Sequence, residues 1–252
     1  MFKKIISVLL FCVFWQNIDA QVVNVEKKRK GEDEGFQGKI GLGFQLLDNG
    51  KNVMQFSNNI DLQYRKGAHL FLLLSDLNMM RVDDENIVNS GFQHLRYNYT
   101  VKDSSFLQID AFGQSQYNPI KLLTQRFVAG LGPRFRLLNH NKAKIYIASP
   151  VMYEYEKLSD SLTSITRFIR LDLYVSITWD ISESLKMRSI TYYQPHISRF
   201  ADYRISSETI FSFKITDKLA FNTGFEATYD SEPPEDIQKL FYYWRNKLSF
   251  SF

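Results

Sequence analysis

From residue 36 onward, apolar and polar residues alternate with a period of two in stretches of about 10 to 15 residues. In the last stretch, 239–252, Leu240, Tyr242, Trp244, Leu248, Phe250 and Phe252 share one face of a strand. Arg245, Lys247, Ser249 and Ser251 share the other. The pattern recurs at 126–137, where Phe127, Ala129, Leu131, Phe135 and Leu137 oppose Arg126, Gly130, Gly132, Arg134 and Arg136. At 169–179, Ile169, Leu171, Leu173, Val175, Ile177 and Trp179 oppose Arg170, Asp172, Tyr174, Ser176 and Thr178. At 219–230, Leu219, Phe221, Phe225 and Tyr229 oppose Asn222, Glu226 and Asp230. The periodicity predicts strands at 38–46, 54–65, 69–81, 91–101, 105–117, 124–138, 144–156, 167–179, 185–194, 203–215, 219–230 and 239–252.

About twelve strands is an even number, as a closed antiparallel transmembrane β-barrel with both ends on one side requires. The connections fit that all-β architecture. RKGA (65–68), VKDSS (101–105), NHNKA (139–143), DISES (180–184) and TDK (216–218) are short, as periplasmic turns are. Most of the others are longer: 82–89, 118–123, 157–166, 195–202 and 231–238 read as outer loops. The first connection is the exception, because its Asn49-Gly50 pair signals a tight hairpin. A soluble sandwich or lipocalin-like barrel would turn its charges out and its Phe and Leu in. In a lipid-embedded barrel the apolar set faces outward instead.

The N-terminus changes the compartment. Lys3 and Lys4 precede an apolar run, 5–15, followed by QNIDA and Gln21, the form of a secretory signal peptide cleaved after Ala20. The run is about half the roughly 20 residues of a spanning helix. The single cysteine, Cys12, leaves with it, so thiol and disulfide chemistry are excluded from the mature chain. Phe11 stands where a lipoprotein signal needs a small residue. Of 31 basic and 27 acidic residues, removal of 1–20 takes Lys3, Lys4 and Asp19, leaving net +3. That balance gives no sign of a nucleic-acid partner. Aromatic content is 15 %, as two interfacial girdles would require. The expected organisation is a signal peptide (1–20), a charged periplasmic leader (21–35), too polar to pack, and an outer-membrane barrel (36–252). The expected location is the outer membrane of a Gram-negative envelope.

The inward positions carry the candidate chemistry. They form a mixed-charge set: Arg96, Asp110, Arg126, Arg134, Arg136, Glu154, Glu156, Arg170, Asp172, Arg188, Arg204, Glu208, Glu226, Arg245 and Lys247. One reading is structural, with ion pairs filling a closed lumen; the other is a small water-filled channel whose charged wall selects ions or small polar solutes. The leader could fold back as a plug. Tyr97, Tyr99, Trp179, Tyr193 and Trp244 read as interfacial anchors. The alternating Gly41, Gly43 and Gly130, Gly132 read as room for bulky neighbours rather than a phosphate loop.

The chain also resembles the salt-induced outer-membrane protein family, whose shared domain is of unknown function. The resemblance rests on LRYNY (95–99), QYNPIKLLTQRFVAGLGPRFRLL (116–138) with the family's R…G.G.R pattern, YEYEK (153–157), YYQPHISRFADYRIS (192–206), FKITDKLAF (213–221) and YDSEPPEDIQK (229–239). It covers nearly the whole mature chain. It implies an outer-membrane β-barrel linked to osmotic or salt adaptation, without a settled activity. Its partners would be outer-membrane lipid, the barrel-assembly machinery through the strand ending at Phe252, and small ions or solutes.

Two alternatives come from local patterns. His196, Ile197 and Ser198, followed by Asp202 and Glu208, resemble the His-x-Ser of outer-membrane phospholipases and lipid A deacylases, in which His polarises the Ser hydroxyl. Arg199 stands where those families carry Asn, so the expectation is no enzyme, with acyl hydrolysis at His196 and Ser198 as the alternative. The loops 157–166 and 231–238 could instead bind a partner or surface glycan. His69, His94 and His140 are scattered singly, so neither a metal nor a cofactor is expected.

Overall fold

A computed structural model describes residues 25, 28–29, 33–48, 50–83, 85–101, 106–119, 122–159, 165–233 and 237–250. The predicted signal peptide and Phe252 lie outside them. Alternating sequences pair as expected, each strand with the next and antiparallel: β1 (Gly35–Asp48), β2 (Asn52–Lys66), β3 (His69–Val82), β4 (Glu85–Thr100), β5 (Leu107–Asn118) and β6 (Leu123–His140). Two of the predicted strands are each divided. β7 (Ala143–Ala148) and β8 (Val151–Leu158) pair along different halves of β6; β9 (Ile165–Leu171) and β10 (Leu173–Asp180) pair with β8 and β7 respectively. β11 (Leu185–His196), β12 (Arg199–Lys214), β13 (Leu219–Asp230) and β14 (Leu240–Phe250) complete the sheet.

The divisions have a local cause. Pro150 brings no N–H to a ladder, so pairing stops at Ser149 and Pro150. The freed groups are satisfied sideways: Ser149 N–H donates to the Pro133 carbonyl at 3.0 Å, and Asp172 N–H donates to the Pro150 carbonyl at 2.8 Å. The two gaps therefore lie side by side, and Gly132 packs against them. A Cβ on Gly132 would stand 2.4 Å from Pro150 Cα and 2.7 Å from the Ser149 carbonyl oxygen, both backbone atoms. Gly132→Ala is expected to destabilise the protein by about 1–3 kcal/mol through this overlap. Gly113→Ala, where a Cβ meets nothing within 4 Å, should leave the urea midpoint of refolded protein unchanged.

The barrel is not closed. The fourteen segments form one sheet whose order begins at β1 and ends at β14, and among the described residues these two do not pair with each other. An even strand count permits closure but does not produce it, because alternation specifies which face is apolar and says nothing of which edges meet. Two expected outer loops are corrected as well. Most of 82–89 belongs to β3 and β4, and 195–202 is a tight hairpin around 197–198. The loops 157–166 and 231–238 fall partly outside the described residues.

Exposure is inverted relative to a soluble protein. Phe127, Leu131, Val175, Phe225, Trp244 and Leu248 are exposed, Leu131 by 61 % and Trp244 by 73 %. Asp110 and Glu154 are 0 % exposed. Aromatic rows mark both ends of the outward face. Phe36, Tyr64, Phe71, Tyr97 and His69 follow one another near the short turns, with Tyr99 beside His69. Near the opposite end, Tyr203 lies between Tyr193 and Tyr229 at 5.6 and 5.8 Å. Trp179 is exposed at the turn end of β10, and exposed Trp244 donates its indole N–H to Thr223 Oγ1 at 2.9 Å. An apolar outer band between two aromatic girdles is the surface a hydrocarbon layer requires.

Candidate functional site

The concave face is built from residues at alternate positions of neighbouring strands, so its charges converge from many elements. Glu154, on β8, is the centre. Its Oε1 accepts from Arg126 Nε at 2.7 Å and Arg204 Nη1 at 2.6 Å, and its Oε2 accepts from Arg170 Nε at 2.8 Å. Arg170 continues to Asp202 Oδ1 at 2.8 Å and to the Gln194 carbonyl at 3.2 Å. Arg204 continues to Asp230 Oδ2 at 2.8 Å and Glu156 Oε2 at 3.3 Å. At the rim, Arg199 spans Asp202 Oδ2 at 3.1 Å and Glu232 Oε2 at 2.7 Å. Arg204 on β12 reaches β8 past two intervening strands, which a flat sheet would not allow. The sheet is curled around these contacts.

A second group lies nearer the short turns. Asp110 accepts from Asn98 Nδ2 at 2.9 Å and from Tyr174 Oη at 2.8 Å, and Arg96 stands 3.5 Å away. The Arg96 guanidinium sits over Phe112 and Tyr174 at 5.2 and 5.7 Å. Arg134 donates to Gln108 Oε1 at 2.6 Å and stacks on Tyr146 at 3.7 Å, with Arg136 beside the same ring. Asp172 accepts from Gln194 Nε2 at 2.6 Å. Planar arginine is suited to this work, because its fork of donors serves two carboxylates and a ring face together. A buried lattice of this kind tolerates no missing member, since each unmatched charge keeps its desolvation cost.

The remaining predicted residues lie on β11 to β14. Glu226 pairs with Arg245 at 2.6 Å on β13 and β14. Glu208 is buried on β12, while Arg188 and Lys247 are exposed. The candidate charge set left out the neutral partners Asn98, Gln108, Tyr174 and Gln194 and the acids Asp202 and Asp230, although alternation had already put Tyr174 and Asp230 on the polar face. All occupy the same alternate positions as the charges, so strand parity was the available signal.

The acyl-hydrolase arrangement is not assembled. His196 Nδ1 accepts the backbone N–H of Ser198 at 3.1 Å, an arrangement that closes a turn, and its ring packs edge-on against Phe168 at 4.9 Å. Asp202, which would have to orient the imidazole, is held by Arg170 and Arg199. Among the described residues no group of three or more His, Asp or Glu side chains is gathered for a metal ion.

A family model described as "Protein of unknown function, DUF481" matches residues 38–252. A search of curated proteins finds no match. Among solved structures, the chain is similar to a NanC porin at 8 % identity and a TM-score of 0.46, covering 84 % of this chain and 99 % of that one. It is similar to a KdgM porin in complex with disordered oligogalacturonate at 12 % identity and a TM-score of 0.42, covering 80 % and 96 %. At these identities and scores, nothing about this chain's passage or ligand follows from either.

Proposed function

The chain belongs to this family of unknown function, and from that premise we propose that this outer-membrane protein is a narrow, weakly anion-preferring conduit for small ions, running beside a packed charge lattice. The observation that carries the reading is the unequal filling of the concave face. From β4 to β12 it is dense, with Arg126, Arg170, Asp172 and Met152 all fully buried. Toward β14 and β1 the inward positions are more open, with Lys39 and Lys247 exposed and Arg245 half-buried, whereas on β2 Asp61 and Gln63 are buried. Arg188, at the turn end of β11, is also exposed on this face. Basic side chains thus predominate on the solvated part of the wall, and such a wall favours anions over cations at low ionic strength. Ion passage is also the activity by which such a protein would serve osmotic or salt adaptation.

Single-channel recording of the refolded mature protein in a planar bilayer tests this, under a salt gradient. The expected result is small discrete steps with a reversal potential on the anion side. Lys247→Glu together with Arg188→Glu should move that potential toward the cation side. A folded but silent protein would instead make the lattice purely structural.

A further inference from the structure

The outward face at the short-turn end of β2, β3 and β4 is layered by chemistry. Farthest from the turns, Leu62, Leu73 and Leu95 stand opposite one another on the three strands. The next row is made of rings, Tyr64, Phe71 and Tyr97. The last row, Lys66, His69 and Tyr99, is polar. Leucine, ring and polar rows follow one another as acyl chain, interface and headgroup do in a lipid leaflet.

The polar row goes beyond an aromatic girdle, because it carries charges of both signs on one turn. Lys66 and His69 flank the turn at 67–68 and are exposed, and Lys66 makes no ion pair among the described residues. His69 Nδ1 is hydrogen-bonded to Tyr97 Oη at 2.8 Å, and its ring lies 5.9 Å from Tyr97 and 5.2 Å from Tyr99. An exposed imidazole is thus held in place by its neighbours. With Tyr97 donating to Nδ1, the ring proton sits on Nε2, and an anion at Nε2 selects that tautomer. Glu34 supplies the opposite sign. Its Oε1 accepts the Gly67 N–H at 2.9 Å, which fixes a carboxylate on the same turn. At the turns after β10 and β12 the exposed lysines are already matched, Lys186 by Asp180 at 3.5 Å and Lys214 by Asp217 at 2.6 Å.

We propose that the β2–β3 turn binds one phospholipid whose headgroup carries an amine. Lys66 and His69 Nε2 hold the phosphodiester, Glu34 holds the amine, and the ring and leucine rows receive the start of an acyl chain. A simple anion would be repelled by Glu34, whereas an amine beyond the phosphate turns that carboxylate into a partner. The site continues the lipid-facing band, and it stands whether or not ions pass through the concavity.

Mature protein folded in vesicles of equal parts phosphatidylethanolamine and phosphatidylglycerol tests it, after extraction into mild detergent and native mass spectrometry. One phosphatidylethanolamine is expected to stay bound in preference to phosphatidylglycerol. Lys66→Ala combined with His69→Ala should lower its retention about tenfold, the scale of losing charge-assisted hydrogen bonds. Tyr97→Phe, which keeps the ring and removes the hydroxyl that orients His69, should lower it less and serves where the double variant does not fold. Glu34→Gln should keep a bound lipid but abolish the choice of headgroup. Lys214→Ala should change nothing.

Retention that follows the vesicle composition, or that is the same in the double variant and in Tyr97→Phe, would overturn the site and leave only general contact with the band. A preference that survives Glu34→Gln would overturn the assignment of the amine. Heat-modified migration on gels identifies the folded species in each case.

Discussion

Glu154→Gln is expected to cost about 3–5 kcal/mol of stability, the range seen when one member of a buried ion network is removed. The change is nearly isosteric, so packing is not the reason. Arg126, Arg170 and Arg204 would each lose a charged acceptor while remaining buried, and the new amide would turn an N–H group toward guanidinium donors. Arg170 keeps Asp202 and Arg204 keeps Asp230 at 2.8 Å each, whereas Glu156 stands farther from Arg126, at 3.6 Å. Arg126→Gln in the Glu154→Gln background should therefore recover part of the loss. The same measurement, the urea midpoint of protein folded into lipid vesicles, should show less than about 1 kcal/mol for Glu232→Ala at the solvated rim. Equal losses at the two sites would remove Glu154 from the centre of the lattice.

Leu131→Arg is the second large effect, expected at about 2–4 kcal/mol for an arginine on the lipid face near mid-membrane. Leu131 lies midway along β6 and is exposed, and its outward neighbours are Phe127 and Ala129. In water, placing arginine at so exposed a position would change stability by no more than about 0.5 kcal/mol. The comparison with Trp179→Arg sharpens the test, because Trp179 sits near the turn end of β10, where the cost should fall to about 0–1 kcal/mol. A depth-dependent loss marks a surface that faces hydrocarbon. Equal, small losses would mean that it faces water.

Much of the fold was legible because strand parity is a strict code. Once Phe127 is outward, Arg126 must be inward, and the same holds for Arg170 against Ile169 and for Glu226 against Phe225. The short turns were legible for a similar reason, since turn residues interrupt the period. Closure was not, because the hydrogen-bonding groups of an edge strand are the same in every sequence. Nor was the gap after Ala148, although Pro150 supplied a signal: the period ran straight through it, and the missing N–H carries no hydropathy. The outer loops at 82–89 and 195–202 were read from polarity, yet a hairpin end that extends beyond a membrane is polar while still being strand.

The candidate site was legible by membership but not by wiring. Alternation placed Arg126, Glu154, Arg170 and Arg204 on one face, but nothing along the chain ties Arg204 to Glu154 rather than to a carboxylate on an adjacent strand. That choice depends on how tightly the sheet curls, which is set by the whole set of inward side chains. Val25, buried against Leu72 and Leu74 of β3, was invisible for the opposite reason. A single valine among charged residues has no period, and only the inward leucines of β3 hinted that something apolar must cover them.

The wiring of the lattice bears on how the protein assembles. Hairpins such as β2 and β3 join neighbours through a turn of two residues, 67 and 68. Glu154 and Arg204 are 50 residues apart, and Asp110 and Tyr174 are 64 apart. Loops of that length close at a greater entropic cost than hairpins and only after the intervening strands are in place. A strand that entered one residue out of register would present an apolar side chain to Arg170 or Arg204. The lattice therefore acts as a late proofreading step, completed only by a chain whose passes from β4 to β13 all have the correct parity.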